Sequence, residues 1–451
     1  MSPLSRRSVF LGSLPLGPLA LAACGQTTPT TATKPAAGPV TLQYAFYASE
    51  PEFAVWKRLC EEFSKQSGRI TVQPYQTNAD GDHFQRMRTL VAAGSEAEVM
   101  MWKTLELSGD AVKDTFLPLD AFVKQSRSYK KEDIFPLEWN KNFFRGKLLA
   151  LGLTHSPAVI FYNKDMFQKA GVPEPPHKWD DPKWTWDALL ETSRKLTKVA
   201  SNPGDSTFGF DNSDSWWFVQ PFYWSYGGDL LSSDHTKVQV DSRPVVEAFQ
   251  WVANLRLREK VSPTADDRKL TQGGTNGMLQ ASKLAMFTAI TSTSPILAAQ
   301  KEVRWDIAPM PHRTMQAWTR NPQLNITISK GNGSKKADDA WAAMEYLAGE
   351  PGQKAMSELH RGLPVNKKVA YSESWFTPGA QQDWKVFTDA AEKYDHLEHE
   401  IIKFHDLDTM MADAYTKQLL SGKSSAADMA TTLKPQLDAL IQENNQLTNA
   451  K

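Results

Sequence analysis

The stretch VTLQYAFY (residues 40–47) begins an alternation of strand-like and helix-like segments that decides the fold. It is followed by PEFAVWKRLCEEFSKQ (51–66), ITVQPY (70–75), DHFQRMRTLVAA (82–93) and VMMW (99–102). The first, third and fifth segments have the length and composition of strands, whereas the second and fourth repeat apolar residues at helical spacing. Strand, helix and strand units of this length predict a parallel sheet with crossover helices, and therefore an α/β fold.

A second α/β region follows in the chain. Leu148 to Ile160 is an extended apolar stretch interrupted by Thr154-His155-Ser156-Pro157, so we expect the chain to cross there from one lobe to another. Helices are predicted to begin near Thr185 and near Pro244, the latter because proline is favoured in the first turn of a helix. A short strand is predicted for Asp306 to Met310, with a second connecting segment, 311–322, behind it.

The composition is that of a large globular chain. Its 451 residues exceed what one core usually holds, so about three domains, or two large ones, are expected. Hydrophobic residues make up 41% and charged residues 23%, which excludes a disordered chain. The 51 basic residues balance the 51 acidic ones, so no overall positive field is available to hold a nucleic acid, and we expect no such partner.

Residues 1–24 have the features of an export signal rather than of a folded domain. A basic pair at 6–7 precedes an apolar stretch, 9–23, that is too short to span a bilayer. LAAC (21–24) resembles a bacterial lipobox, which implies that Cys24 is acylated and becomes the mature N-terminus. Residues 25–39, rich in Thr, Pro and Ala, predict a disordered tether. We therefore expect an extracytoplasmic protein, in the periplasm or on the outer face, that lipid anchors to the membrane.

One block of the second region carries a specific resemblance. FYNKDMF (161–167), followed by AGVP (170–173) and WTWD (184–187), is similar to the most recognisable block of the extracellular solute-binding proteins of ABC importers, the family that includes maltose-binding protein. Further blocks stand in the family's order: GGDL (227–230), KLAM (283–286), DIAPMP (306–311), GLPV (362–365) and LSGKS (420–424). After KLAM the chain has FTAIT where the family usually carries Gly-x-Trp, so the resemblance does not name the ligand.

The resemblance implies a two-lobed, periplasmic-binding-protein-like fold of type II. Each lobe would be a mainly parallel sheet flanked by helices, with the ligand in the cleft between the lobes. Residues 40–153 and 318–361 would form one lobe, and residues 158–312 and 366–451 the other. Such proteins bind by hinge closure, because the ligand contacts both lobes only when they are shut. The resemblance also implies delivery of a sugar to the permease subunits of an ABC transporter, and no catalytic residues.

Strand ends supply the first candidate binding residues. In open α/β sheets, ligands lie where the strands end and the chain turns into loops. That rule selects the ends of the first three predicted strands, and further polar candidates at the expected cleft can bond ligand hydroxyls. These candidates are Tyr47, Glu50, Asn78, His155, Asp211 and Arg361.

Aromatic residues supply the second set. The chain has 15 Trp, and seven aromatic residues fall within 216–226. Because a sugar ring has apolar C–H faces and a polar rim, aromatic planes beside polar groups suggest a carbohydrate ligand. A helix must also pack on its lobe, so Phe218 and Phe222 are assigned to the core. The tryptophans retained as candidate ligand contacts are Trp102, Trp216, Trp217, Trp224 and Trp318.

Other chemistry has weaker support. HEIIK (399–403) misses the zinc-binding His-Glu-x-x-His motif by its last ligand, and His396, His399 and His405 fit a solvated helical surface better than a zinc site. We therefore expect no metal and no cofactor. Two alternatives stay open: an exported carbohydrate-active enzyme, and the same transport role with a polyol phosphate, peptide or other polar solute. A monomer is expected, since nothing resembles a coiled coil.

Overall fold

The computed structural model describes residues 38–77, 80–299, 302–376, 382–396, 398 and 401–449. The predicted export signal with Cys24, most of the predicted tether, the candidate Asn78 and His399 lie outside these residues. In the described part of the chain, no helix is long and apolar enough to cross a membrane.

The described residues alternate strands and helices along the chain. The strands are β1 (Val40–Tyr47), β2 (Ile70–Thr77), β3 (Val99–Lys103), β4 (Phe143–Phe144), β5 (Lys147–Leu148), β6 (Leu151–His155), β7 (Ala158–Asn163), β8 (Phe208–Asp211), β9 (Leu284–Ile290), β10 (Trp305–Ala308), β11 (Gln323–Ile328) and β12 (Leu363–Pro364). The α-helices are α1 (Glu50–Ser67), α2 (Asp80–Ala92), α3 (Thr104–Ala111), α4 (Asp120–Gln125), α5 (Pro136–Asn140), α6 (Lys164–Ala170), α7 (Trp186–Leu196), α8 (Gln220–Ser225), α9 (Arg243–Leu257), α10 (Ala265–Lys269), α11 (Gly274–Gln280), α12 (Ser294–Ala298), α13 (Ala337–Ala348), α14 (Glu350–Ser357), α15 (Lys367–Ala370), α16 (Lys385–Asp389), α17 (Phe404–Ala414) and α18 (Ala426–Asn449).

The sequence explains where the first helix begins and ends. Ser49 stands before α1 in an extended conformation, and it exchanges hydrogen bonds with Glu52 in a capping box. Pro51 occupies the first turn, where its missing N–H costs nothing. Gly68 ends the helix at φ +63°, a conformation that other residues adopt at a cost. These signals fix α1 to within one residue at each end of the predicted bounds.

Two larger sheets define the architecture. One has six strands in the order β12, β6, β11, β3, β1, β2, and the other has four in the order β10, β7, β9, β8. β1 pairs in parallel with β2 and β3, and β8 with β9, while the other pairings in these sheets are antiparallel. Within each sheet most strands nevertheless run in the same direction. In the six-stranded sheet these strands are β1, β2, β3 and β6, and in the four-stranded sheet they are β8, β9 and β10. The two-lobed α/β fold is confirmed.

The strands that run the other way are β7, β11 and β12, and of these β7 and β11 arrive from the other sheet. β6 belongs to the six-stranded sheet, and after two residues the chain continues as β7 in the four-stranded one. The second connecting segment leads back from β10 to β11. The Ala158 N–H donates to the Arg320 carbonyl oxygen at 2.9 Å, and the Ser156 N–H to that of Pro322 at 3.0 Å. Both predicted crossings are therefore present and run side by side; the exact lobe boundaries remain a prediction.

Each sheet has its own core. Trp56, Leu59 and Phe63 of α1 pack on one face of the six-stranded sheet, whereas Phe84 and Trp102 belong to the cluster on the other face. A third and larger cluster surrounds the four-stranded sheet and takes in the C-terminal helices α17 and α18. Each lobe is thus packed mainly around its own sheet, and Phe135 and Leu363 extend the third cluster to the six-stranded sheet.

Candidate functional site

A cavity of about 370 Å³ lies between the two sheets, at the ends of strands from both lobes. From the six-stranded side it is lined by the end of β1, by the turn from β3 into α3, and by the start of β11. From the four-stranded side it is lined by the end of β9 and the residues before α8. Its lining residues are Tyr47, Lys103, Thr104, Leu105, Ser156, Ser215, Trp217, Phe218, Ile290, Ser292, Arg320, Pro322, Gln323, Leu324 and Arg361.

The cavity opens into a wider space on each side. Toward the start of α1, a cavity of about 510 Å³ shares Tyr47, Ser292 and Arg361 with it. Toward α17, a cavity of about 870 Å³ shares Lys103 and Leu105. The cleft is therefore a long groove that passes between the lobes.

Trp217 is the aromatic centre of the cleft. Its ring is half-buried, and its Nε1–H donates to the Asp408 Oδ1 at 2.6 Å. The Arg320 guanidinium carbon lies 4.6 Å from the ring centroid, within the range of a cation–π contact. Phe218, also half-buried, lies next to it at the cavity wall. The cleft thus presents aromatic surface next to hydrogen-bonding groups.

The cationic residues of the cleft are themselves held by partners. Arg320 donates to the Gln220 Oε1 and the Glu398 Oε2, both at 3.0 Å, and its side chain is almost wholly buried. The Arg361 Nε lies 2.8 Å from the Glu52 Oε1, and this pair is partly exposed. Because of these bonds the guanidinium groups are positioned before any ligand arrives.

Amide and hydroxyl groups at the start of β11 are also ordered. Thr104 donates through Oγ1 to the Gln323 carbonyl and Oε1, each at 3.2 Å, and accepts from the Asn325 Nδ2 at 2.9 Å. The Gln323 Nε2 donates to the Glu138 carbonyl oxygen at 3.0 Å. This wall of the cavity is a rigid polar surface.

Of the residues predicted for the site, Tyr47, Trp217 and Arg361 line this cavity together. Glu50 is exposed at the start of α1 and does not line it. The cavity wall includes residues that sequence reasoning had not named individually, among them Arg320, Gln323 and Ser292. Arg320 and Gln323 lie at the end of the second predicted crossing, where it leads into β11. That crossing was the sequence signal from which both residues could have been predicted.

Four predicted tryptophans lie elsewhere, and we no longer count them as candidate contacts. Trp102 is fully buried between Phe84 and Phe116 and does not line the cavity. Trp216 is 2% exposed and belongs to the core of its lobe, and Trp224 is stacked on His396 with centroids 4.3 Å apart. Trp318 packs edge-on against the same histidine at 5.1 Å. Conversely Phe218, assigned to the core, reaches the cavity, whereas Phe222 is buried as expected.

Asp211 is committed to an internal ion pair rather than to the cleft. It is buried, and it accepts from the Arg268 Nε and Nη2, both at 2.9 Å, and from the Ser262 Oγ at 3.2 Å. Arg256 and Asp214 complete the group. A carboxylate with this many partners has no capacity left for a ligand, so Asp211 is also removed from the candidate contacts.

His155 belongs to a buried polar cluster at the crossings, which we call the hinge cluster: Glu138, Lys141, His155, Asn321 and Asp395. The Lys141 ammonium donates to the Glu138 Oε1 at 2.8 Å, and to the Asp395 Oδ2 and the Asn321 carbonyl at 2.9 Å each. The Asn321 Nδ2 lies 2.9 Å from the His155 Nδ1. His155 is fully buried and bonded on both ring nitrogens, so it is a structural residue of the crossings and we withdraw it as a ligand contact.

The two carboxyl groups of the hinge cluster have opposite pKa shifts. Burial raises the pKa of Asp395 well above its ordinary value in spite of Lys141, and the nearby Glu138 carboxylate adds to the rise. Burial acts in the same direction on Glu138, but Lys141 and His155 outweigh it and lower the pKa of Glu138 to about 2. The two carboxyl groups are therefore driven apart in acidity, and of the two Asp395 is the one that burial and the neighbouring carboxylate favour in its neutral form.

Within the ranges that the structure describes, no group of three or more His, Cys, Asp or Glu side chains gathers as a metal site would. His396, named in the sequence as a possible zinc ligand, lies instead between Trp224 and Trp318.

Two α/β lobes joined by crossing strands, with a polar and aromatic cleft between them, define a two-lobed binding protein. The chain belongs to the family described as bacterial extracellular solute-binding protein, which matches residues 47–354. A Brucella abortus (strain 2308) chain named only as a binding protein is 24% identical over 299 residues, 64% of this chain and 67% of that one.

Solved structures share the fold at low identity. An ABC substrate-binding protein from Listeria monocytogenes, in complex with cycloalternan, is 18% identical with a TM-score of 0.79, over 90% of this chain and 99% of that one. UgpB from Mycobacterium tuberculosis, in complex with glycerophosphocholine, is 17% identical with a TM-score of 0.76, over 91% of this chain and 99% of that one.

Proposed function

We propose that this protein captures a sugar or oligosaccharide outside the cytoplasm and delivers it, chemically unchanged, to the permease of an ABC importer. The observation that carries the proposal is the cleft itself. Trp217 and Phe218 offer flat apolar surface, and Gln323, Thr104 and Ser292 stand around it as hydrogen-bonding groups. This combination matches the two faces and the polar rim of a pyranose ring. Its long, open shape suits a ligand of more than one sugar ring.

Binding would act through hinge closure. Lobes of 40–153 with 318–361, and of 158–312 with 366–451, are supported by the sheet to which each strand belongs and, for 366–451, by the packing of α17 and α18 in the core of the four-stranded sheet. Cavity residues come from both sheets, so a ligand in the cleft contacts both lobes and favours the closed state by its differential affinity. The permease would then distinguish the closed form from the open one.

A thermal-shift screen tests the sugar assignment directly. The purified chain is heated with glucose, maltose, maltotriose, cellobiose, xylobiose and sn-glycerol 3-phosphate in turn. A sugar that binds only the folded state raises the unfolding midpoint by mass action. A raised midpoint with at least one sugar, and no sugar consumed on chromatography, supports the proposal. Turnover would support a carbohydrate-active enzyme instead.

The role of Trp217 is tested with a matched tryptophan. Trp217→Ala removes the exposed ring of the cleft, and we expect the Kd for the best sugar to rise about tenfold, which corresponds to about 1.4 kcal/mol. Trp251→Ala removes a ring that is also half-buried but packs on Trp186 and Phe222 within its lobe. Trp251→Ala should lower stability and leave the Kd unchanged. Equal effects of both variants on Kd would contradict the assignment.

We also propose that Cys24 carries the lipid that holds the protein at the membrane, with 25–39 as its tether. The LAAC sequence supports this, and the family's extracellular location agrees with it. Expression of the full chain with a labelled fatty acid should label wild type and not Cys24→Ser. Label that persists in Cys24→Ser would exclude this residue as the acylated one.

An anionic solute, such as a polyol phosphate, is the second candidate. Among the described residues that line the central cavity are Lys103, Arg320 and Arg361, and no carboxylate. Arg320 and Arg361 each have an acidic partner just outside that lining, which reduces the excess of positive charge and ranks this candidate second. In the same screen, a shift with sn-glycerol 3-phosphate and with no sugar would favour it.

A further inference from the structure

Trp217 is held on its N–H edge by a residue outside the cavity lining. The Asp408 Oδ1 accepts from the Nε1–H of Trp217 at 2.6 Å and from that of Trp216 at 2.7 Å. Asp408 lies on α17, 191 residues from Trp217 in sequence, and is half-buried. Trp216 is buried in the core, so its hydrogen bond holds the Asp408 Oδ1 in place. The same oxygen in turn holds the N–H edge of the Trp217 ring.

Arg320 restrains the same ring over its face. The guanidinium, 4.6 Å from the ring centroid, cannot move away easily because Gln220 and Glu398 bind it in a buried position. Its carbonyl oxygen accepts from the Ala158 N–H, so the Arg320 backbone is part of the paired crossing strands. Trp217 is thus held between α17 and the hinge, and its exposed area borders the cavity.

We propose that Asp408 and Arg320 are positioning residues that hold Trp217 as a fixed platform for one apolar face of a sugar ring. This inference rests on the proposed function, and it assigns affinity to Asp408, which lies beyond the cavity wall, and to the contact that the wall residue Arg320 makes with the ring. A ring that is already immobile loses no rotamer freedom on binding, whereas a free one loses about 0.5–1.5 kcal/mol. Without Asp408, two indole N–H groups lose a charged acceptor, and the Trp217 side chain gains alternative rotamers.

The experiment compares full-length wild type, Asp408→Ala and Asp408→Asn. Asparagine keeps an oxygen that can accept from both indoles, so it should restore what alanine removes. The control is Asp413→Ala. Asp413 is an exposed residue of the same helix, and its carboxylate pairs with the exposed Lys417. For each variant, ¹⁵N relaxation of the Trp217 indole N–H is recorded without ligand. The Kd is measured for whichever of glucose, maltose, maltotriose, cellobiose or xylobiose raises the wild-type midpoint most.

We expect the Trp217 indole to be rigid in wild type, Asp408→Asn and Asp413→Ala, and mobile in Asp408→Ala. The Kd should rise about twofold to twelvefold in Asp408→Ala alone, the range that corresponds to the loss of rotamer freedom given above. A rigid indole in Asp408→Ala, or an unchanged Kd, would overturn the positioning role even though the sugar binds. If no sugar binds wild type, the proposed function itself is overturned, and the sugar platform with it.

Discussion

The hinge cluster and the cleft contain the same kinds of side chain in different surroundings. In the hinge cluster, Lys141 and Glu138 are fully enclosed and bonded to one another. In the cleft, Arg361 also pairs with an acid, but the pair is partly exposed and borders an open cavity. Residue type alone therefore does not distinguish a structural charged group from a ligand-binding charged group. Burial and the number of satisfied hydrogen bonds do so.

The largest effect should come from breaking the hinge cluster. Lys141→Met keeps the side-chain volume but leaves Glu138 and Asp395 buried without their ammonium partner. Removing one member of a buried charge group costs about 3–5 kcal/mol, so the free energy of unfolding should fall by that amount. Urea unfolding measures it. Lys147→Met, an exposed lysine on β5, is the control and should change stability by less than about 0.5 kcal/mol. Equal free energies of unfolding for Lys141→Met and wild type would mean that Lys141 does not form these buried ion pairs in solution.

The raised pKa of Asp395 predicts a pH dependence of known sign. Its folded pKa is raised, so the unfolded chain loses the proton first, and the stability that protonated Asp395 contributes falls as pH rises. Asparagine does not titrate. The stability of wild type relative to Asp395→Asn should therefore decrease from pH 5 upward, by at most about 1.4 kcal/mol per pH unit. Glu138 lies outside this window, because its contribution is lost below about pH 5, as pH falls from its ordinary pKa toward about 2.

Unfolding titrations at several pH values between 5 and 8 measure that slope. Asp413→Asn, an exposed aspartate, should follow wild type in parallel. Parallel curves for Asp395→Asn as well would mean that Asp395 is ionised in the folded protein throughout this range.

The sequence was sufficient for the first five elements, from β1 to β3, and for the two crossings. β1 has the predicted bounds, because alternation and strand propensity are local properties. The insertion of β11 between β3 and β6 was not predicted, since periodicity identifies a strand but not its neighbours. Strand pairing depends on how separate segments dock, and that information is not local.

The site was predicted by position more reliably than by residue. The strand-end rule selected the turn after β3, yet Trp102 points into the core and Lys103 to the cavity, because successive strand residues face opposite sides. In the aromatic segment, residues 216–219 form a 3₁₀ turn, and the α-helix α8 begins only at Gln220. A single α-helical period applied to the whole segment therefore assigns Trp216 to the cleft and Phe218 to the core, which is the reverse of their positions in the structure. The partner of Asp211, Arg268, is 57 residues away, and no local pattern indicates it.

The smallest effect on stability should come from the cleft, where ligand binding is affected instead. Arg361→Gln keeps a donor for Glu52 but removes the positive charge and the other guanidinium nitrogens from the cavity wall. Because the pair is partly exposed, the free energy of unfolding should fall by at most about 1 kcal/mol. The Kd for the best sugar should rise about tenfold, since a hydroxyl would lose a charged hydrogen-bond donor.

Isothermal titration of the sugar, together with urea unfolding, separates these two quantities. The matched control is Arg58→Gln, because Arg58 also pairs with an acid, Glu358, but lies on the exposed side of α1 and outside the cavity lining. Its Kd should equal that of wild type. If Arg361→Gln instead lowered stability by several kcal/mol and left the Kd unchanged, Arg361 would belong with Lys141 among the structural charges, and the contrast between hinge and cleft would fail at this residue.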